Sequence, residues 1–317
     1  MSLLKAIIII MLISLASPAR ADTDLEGHFR EKYEFYYLKF KYKDNYFNLN
    51  IPGSRFLLLS GGQRSELIRY LSSLYGDVFD VYALIFGHVP EGYKFNVTFG
   101  KTSEGHPYNR IYAASKTSNI FPDCLPFDMT RQALTEKQRW IMIHEIAHSL
   151  FAIKIGTFEH PKMKAIEEGF IDYISEQAEG MDYSRLRQDI MIKVPPGRLK
   201  NMKGLTQLDV EISIFGEGAV INSPRDGSYA GFAHHTFGLE FIKSFISVFG
   251  EQALPGFMKR LRKVDRSVSK NDLGTQQIKD ILRKMGYTKI QIKEFEDNLH
   301  TRLKQYVYNG DVSPHSN

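Results

Sequence analysis

Residues 135–156 read TEKQRWIMIHEIAHSLFAIKIG, and two features of this stretch decide how the chain is understood. The first is its punctuation. Thr135 with Gln138 three residues on is a capping-box pattern, and Gly156 is a stop signal, so the spacing predicts one helix from 135 to about 155. The second is its cargo. His144-Glu145-Ile146-Ala147-His148 sets two imidazoles four residues apart, one above the other on one helical face. Both rings can offer a nitrogen to one Zn²⁺, with Glu145 beside them as a general base that does not bind the metal. The remaining positions (Trp140, Ile141, Met142, Ile143, Ile146, Ala147, Leu150, Phe151) are apolar all round, which predicts a buried helix. Burying two histidines and a glutamate without partners is costly, and a metal ion removes that penalty.

Catalytic zinc needs a third protein ligand and an open fourth position. Six residues after His148, where a third histidine would extend the motif, the chain has Lys154. A second helix is predicted from about Pro161 to Ala178, with Gly180 just past its end. It contains Ile166-Glu167-Glu168-Gly169-Phe170-Ile171-Asp172-Tyr173. Glu167 and Glu168 point about 100° apart on a helix, while Asp172 shares a face with Glu168.

Together these motifs resemble the gluzincin metallopeptidases, the peptidase MA-like proteins and, more distantly, the zinc aminopeptidases of the M1 type. Their second helix carries an N-E-G-x-A-x-Y type pattern. The resemblance spans roughly Ser65 to Leu261. It implies an α+β, zincin-like fold with a small mixed sheet, an active-site helix and a mostly helical C-terminal half. It also implies one Zn²⁺ per chain held by His144, His148 and Glu168, with Glu167 as the alternative third ligand. Peptide hydrolysis by a zinc-bound water with Glu145 as general base follows, and Asp172 is implied as an acceptor that fixes a ligand histidine. The stretch Asp226-Gly227-Ser228-Tyr229-Ala230-Gly231-Phe232-Ala233-His234-His235 resembles the start of the family's C-terminal helix, which places Tyr229 as the catalytic tyrosine. His234 and His235 are its rivals for stabilising the oxyanion. The G-x-M-E-N segment that binds a free substrate amine in the aminopeptidases is absent, which leaves an endopeptidase or an unusual exopeptidase.

The flanking sequence sets the context. Met1–Ala21 has a basic start, the apolar run AIIIIMLISLA (6–16) and Ala19-Arg20-Ala21, a signal-peptide pattern cut before Asp22. Export to the periplasm or the medium is the expectation, with no membrane span after cleavage. The 317 residues hold 41 Lys+Arg and 36 Asp+Glu. Cleavage would remove Lys5 and Arg20 and no acid, leaving a charge of +3 and no argument for nucleic-acid binding. Cys124 is the single cysteine, so no internal disulfide forms.

Residues 22–60 form an aromatic, strand-rich region, with strands predicted across 33–51 and a turn near Lys43-Asp44-Asn45, and another strand at Phe56–Leu59. Residues 61–317 are read as the catalytic domain. Ser60-Gly61-Gly62 reads as a break, followed by one long helix or two abutting helices from Ser65 to about Phe86, strands at Tyr93–Phe99 and Asn109–Ser115, and helices at 231–249, 255–264 and from 275 onward. The Asn109–Ser115 strand is the expected docking edge for an extended substrate. The expected partner is a peptide or protein. Two other readings stand beside it: a zinc amidase acting on cell-wall material, and a non-catalytic, zinc-stabilised binding module.

Overall fold

A computed structural model describes residues 35–52, 60–99, 110–112, 115–120, 136–158, 161–180, 232–265 and 275–304. The expected signal peptide, the Phe56–Leu59 strand, the Thr135 cap and Tyr229 lie outside the described residues. The order of elements is β1 (Phe35–Tyr42), β2 (Asn45–Pro52), α1 (Gly61–Phe86), β3 (Lys94–Thr98), β4 (Arg110–Tyr112), β5 (Thr117–Ile120), α2 (Glu136–Lys154) and α3 (Pro161–Glu179). Then come α4 (Phe232–Phe249), a 3₁₀ turn (Glu251–Ala253), α5 (Leu254–Asp265), α6 (Thr275–Lys284) and α7 (Lys289–Lys304). This is an α+β protein. None of the described helices is long and apolar enough to cross a membrane.

The chain divides into two compact units, residues 1–76 with 90–141, and residues 77–89 with 142–317. The first contains a five-stranded mixed sheet in the order β1-β2-β3-β5-β4. The β1–β2 hairpin is antiparallel and turns at Lys43-Asp44, with Lys43 at a φ of 49°. β2, β3 and β5 run parallel, so the aromatic N-terminal strands share one sheet with β3. Strict alternation sends Phe40, Phe47, Leu49, Ile51, Phe95 and Val97 inward, all buried. Phe47 is the centre of this core: its ring stacks on Phe40 at 4.7 Å, Phe95 at 5.0 Å and Tyr75 of α1 at 5.6 Å. On the opposite face Asn48 donates to Asn96 at 2.7 Å, and Asn96 donates to Asn119 at 2.8 Å, a polar ladder across three strands.

One local expectation is corrected, one falls only partly on the described residues, and one strand was not expected. Ser60-Gly61-Gly62 is the start of α1, not a break. Ser60 Oγ accepts from the Gln63 amide at 3.3 Å, and Gln63 Oε1 accepts from the Ser60 amide at 2.8 Å, a reciprocal cap that the S-x-x-Q spacing already encodes. Within Asn109–Ser115 the described strand is only Arg110–Tyr112, and β4 does take an edge of the sheet. The unanticipated strand is Thr117–Ile120. Its inward residues are Ser118 and Ile120, both fully buried, so half of its apolar signal is a serine.

The second unit is helical. Met142, Ile143, Ile146, Ala147, Leu150 and Phe151 of α2 are fully buried, and Gly156 ends the helix at a φ of +92°. Tyr82 in the last turns of α1 donates to the Leu150 carbonyl at 2.9 Å. The closest approach is between α3 and α4. A Cβ on Gly169 would lie 1.8 Å from the Gly238 carbonyl carbon, and one on Gly238 would lie 1.9 Å from the Ala165 oxygen. Only glycine fits at either position. Beyond this contact, Phe241, Phe245, Phe257 and Phe295 form the aromatic core of α4, α5 and α7.

Candidate metal centre

Three helices of the second unit bring one cluster together. α2 supplies His144 and His148, α3 supplies Lys164, Glu167, Glu168 and Asp172, and α4 supplies His235. His144 Nε2 and His148 Nε2 are 3.0 Å apart. Glu168 Oε2 lies 2.9 Å from His148 Nε2 and 3.3 Å from His144 Nε2. The three atoms thus form a nearly equilateral triangle. A tetrahedral ion with bonds of 2.0–2.1 Å spaces its ligand atoms by about 3.3 Å, close to these separations.

The surroundings explain why these atoms face one another. Asp172 is fully buried, and its Oδ1 lies 3.0 Å from His144 Nδ1. A carboxylate only accepts, so that ring nitrogen carries the proton. Glu167, also fully buried, has Oε1 3.4 Å from His148 Nδ1 and Oε2 accepting from the Phe158 amide at 2.8 Å. With both Nδ1 atoms turned to carboxylates, both Nε2 atoms present lone pairs to the same point. Two lone pairs at 3.0 Å repel unless a proton or a cation lies between them. Glu168 Oε2 joins them, buried and facing both rings. These are the donors and the arrangement that a divalent cation takes.

Charge gives the same answer. The cluster buries three carboxylates (Glu167, Glu168, Asp172) against one ammonium, Lys164, whose Nζ is 2.6 Å from Glu167 Oε1 and 3.2 Å from Glu168 Oε1. Among these groups two negative charges are left to be met by a bound cation or by protons on the imidazoles. In the metal-free chain protons meet them. Burial pulls His148 down, but Glu168 and Glu167 outweigh it and push it up to about 10. His144 is likewise raised, with Asp172 and Glu168 overcoming its burial. Burial works to raise Glu168, yet His148 and His144 hold it well below the usual carboxylate range.

His235 completes the cluster. Its Nδ1 lies 3.1 Å from Asp172 Oδ2, so Asp172 holds one histidine with each oxygen. Its Nε2 lies 3.9 Å from Glu168 Oε2. His144, Asp172 and His235 form a second group within metal-holding distance, overlapping the first. Asp172 is three residues after Gly169 and His235 three before Gly238. The glycine contact is therefore one turn from the Asp172–His235 bond and sets the distance at which it forms.

The structure brings together His144, His148, Glu168 and Asp172, and leaves Glu145 half-buried directly after His144 on α2. His234 falls in the first turn of α4. Sequence reasoning missed Lys164 altogether, treated Glu167 only as an alternative ligand, and did not connect His235 to Asp172. The i,i+3 and i,i+4 spacings from Lys164 to the two glutamates were the available signal. Comparison with protein-family models finds no match, and comparison with curated proteins finds none either.

Proposed function

We propose that the chain is an exported zinc metallopeptidase of the gluzincin type, with one Zn²⁺ held by His144, His148 and Glu168. The observation that carries this reading is the triangle itself: a buried carboxylate oxygen, Glu168 Oε2, within 3.3 Å of two imidazole Nε2 atoms that are 3.0 Å from each other. When bound, zinc supplies a Lewis acid and makes water a nucleophile near neutral pH. The chain's own groups do the rest. Glu145, next to His144, takes the proton of the attacking water and passes it to the leaving amine. Asp172 and Glu167 fix the two ligand rings and keep their Nε2 atoms free. In this reading His235, held by Asp172, donates to the charge that develops on the substrate oxygen, a role its neighbour His234 would rival. Tyr229, expected in that role, lies outside the described residues.

Hydrolysis of a fluorogenic peptide library tests the reading. The zinc-loaded wild type should cleave, and Glu145→Gln should keep its zinc while losing about 10²–10⁴-fold in turnover. Release from isolated cell wall without cleavage of any peptide would favour the amidase. His235 Nε2 bound as a fourth ligand would close the open position and make the site structural, the case of a zinc-stabilised binding module.

A further inference from the structure

The reading above gives Lys164 no role, yet its position is specific. Its side chain is 39% exposed, but its Nζ reaches into the cluster and sits within 3.2 Å of both Glu167 Oε1 and Glu168 Oε1. Glu168 therefore has two differently occupied oxygens. Oε1 is taken by the ammonium, and Oε2 alone is left toward the two imidazoles. Glu167 Oε1 is shared between Lys164 and His148 Nδ1. One ammonium thus touches the proposed third ligand directly and, through Glu167, the acceptor that orients the second.

We propose that Lys164 is a positioning residue for the metal centre: it holds Glu168 as a one-oxygen ligand and separates the charges of Glu167 and Glu168. The proposal rests on the zinc reading given above. Without the ammonium, two adjacent buried carboxylates repel. Glu168 then swings away or turns both oxygens inward, which raises the coordination number and removes the open tetrahedral position.

A lysine at this distance could act instead through charge alone, and that role predicts the opposite sign. An ammonium that merely opposes the cation weakens zinc binding, so its removal tightens it. A positioning ammonium strengthens zinc binding, so its removal weakens it. Zinc affinity by chelator competition separates the two, with wild type, Lys164→Met and Lys164→Arg compared at one pH and salt. The positioning role predicts that Lys164→Met loses about 10–100-fold in zinc affinity and that Lys164→Arg recovers most of it. Visible absorption of the Co²⁺-substituted proteins adds a readout that a merely structural residue would leave alone. The strong tetrahedral bands of wild type should fall by about twofold or more in Lys164→Met and persist in Lys164→Arg. Unchanged or tighter zinc binding in Lys164→Met, with an unaltered Co²⁺ spectrum, overturns the proposal. A wild type that takes up no metal would instead overturn the zinc reading beneath it. Should Lys164→Met not fold, Lys164→Gln keeps a donor without the charge and is held to the same two readouts.

Discussion

The sheet unit and the helical unit bury different things. In the sheet unit the described buried polar side chains are Asn45, Ser72 and Ser118, none of them charged. Asn45 is satisfied on both sides, donating to the Pro90 carbonyl at 2.8 Å and accepting from the Tyr93 amide at 3.0 Å. The helical unit buries His144, Glu167, Glu168, Asp172, Glu176, Glu240 and Asp265. Five of these carboxylates have a lysine or arginine partner: Glu176 has Lys243, Glu240 has Arg302, Asp265 has Arg262, and Glu167 and Glu168 share Lys164. His144, Glu167, Glu168 and Asp172 converge on one point, three carboxylates around a single ammonium. The buried polar side chains of the first unit are uncharged and scattered, Asn45 bonded to backbone and Ser72 Oγ without a partner among the described residues. In the second, charged ones gather at one point, and that gathering is what the proposed function rests on.

If this contrast is right, substitutions in the two units should separate stability from metal binding. The largest effect is expected at the open cluster. Glu168→Ala and His148→Ala should each abolish stoichiometric zinc binding, together with the rise in melting temperature that zinc gives the wild type. That rise corresponds to about 2.7 kcal/mol when free zinc is 100 times its dissociation constant. Elemental analysis and thermal melts with and without zinc read both effects.

In the sheet unit the reverse should hold. Phe47→Ala removes the ring that touches Phe40, Phe95 and Tyr75, at an expected cost of about 3–5 kcal/mol in chemical denaturation, while the folded fraction still binds one zinc. A variant that lost zinc in proportion to stability would break the contrast between the units.

Gly238→Ala tests the junction of architecture and site. Its Cβ would meet backbone, not a yielding side chain, so α4 must move away from α3. The expectation is a loss of about 1–3 kcal/mol and a weakened zinc site, because His235 retreats with α4. Gly256→Ala in α5 is the control. Its nearest neighbour is the flexible tip of Met285 at 3.7 Å, so stability should hold or rise.

The smallest effect belongs to the amide ladder. Asn96→Ala interrupts two side-chain hydrogen bonds on a half-buried face and should cost about 1 kcal/mol or less. Zinc content should be unchanged.

The elements of the helical unit were largely legible in the sequence. The H-E-I-A-H turn and the second helix with its glycine stop could be placed from spacing, because helical periodicity fixes which side chains share a face, while Glu168 as the third member of the triangle came from the family resemblance. The hairpin was legible for the same reason at period 2. What escaped depends on contact between distant segments. That Glu167 backs His148 while Asp172 bridges His144 and His235 follows from the crossing of α2, α3 and α4, and no local pattern reports a crossing. Gly169 and Gly238 each look like an ordinary weak point in a helix until they are seen to touch. β5 escaped because a buried serine stands where the pattern wanted an apolar residue, and the Ser60–Gln63 cap because two following glycines suggested a break.

Metal content of the purified protein addresses the central claim most directly. Wild type dialysed against trace zinc and then metal-free buffer should retain close to one zinc per chain, and Glu168→Ala, folded by circular dichroism, should retain none. A folded wild type that holds no zinc, or a Glu168→Ala variant that keeps it, would contradict the account.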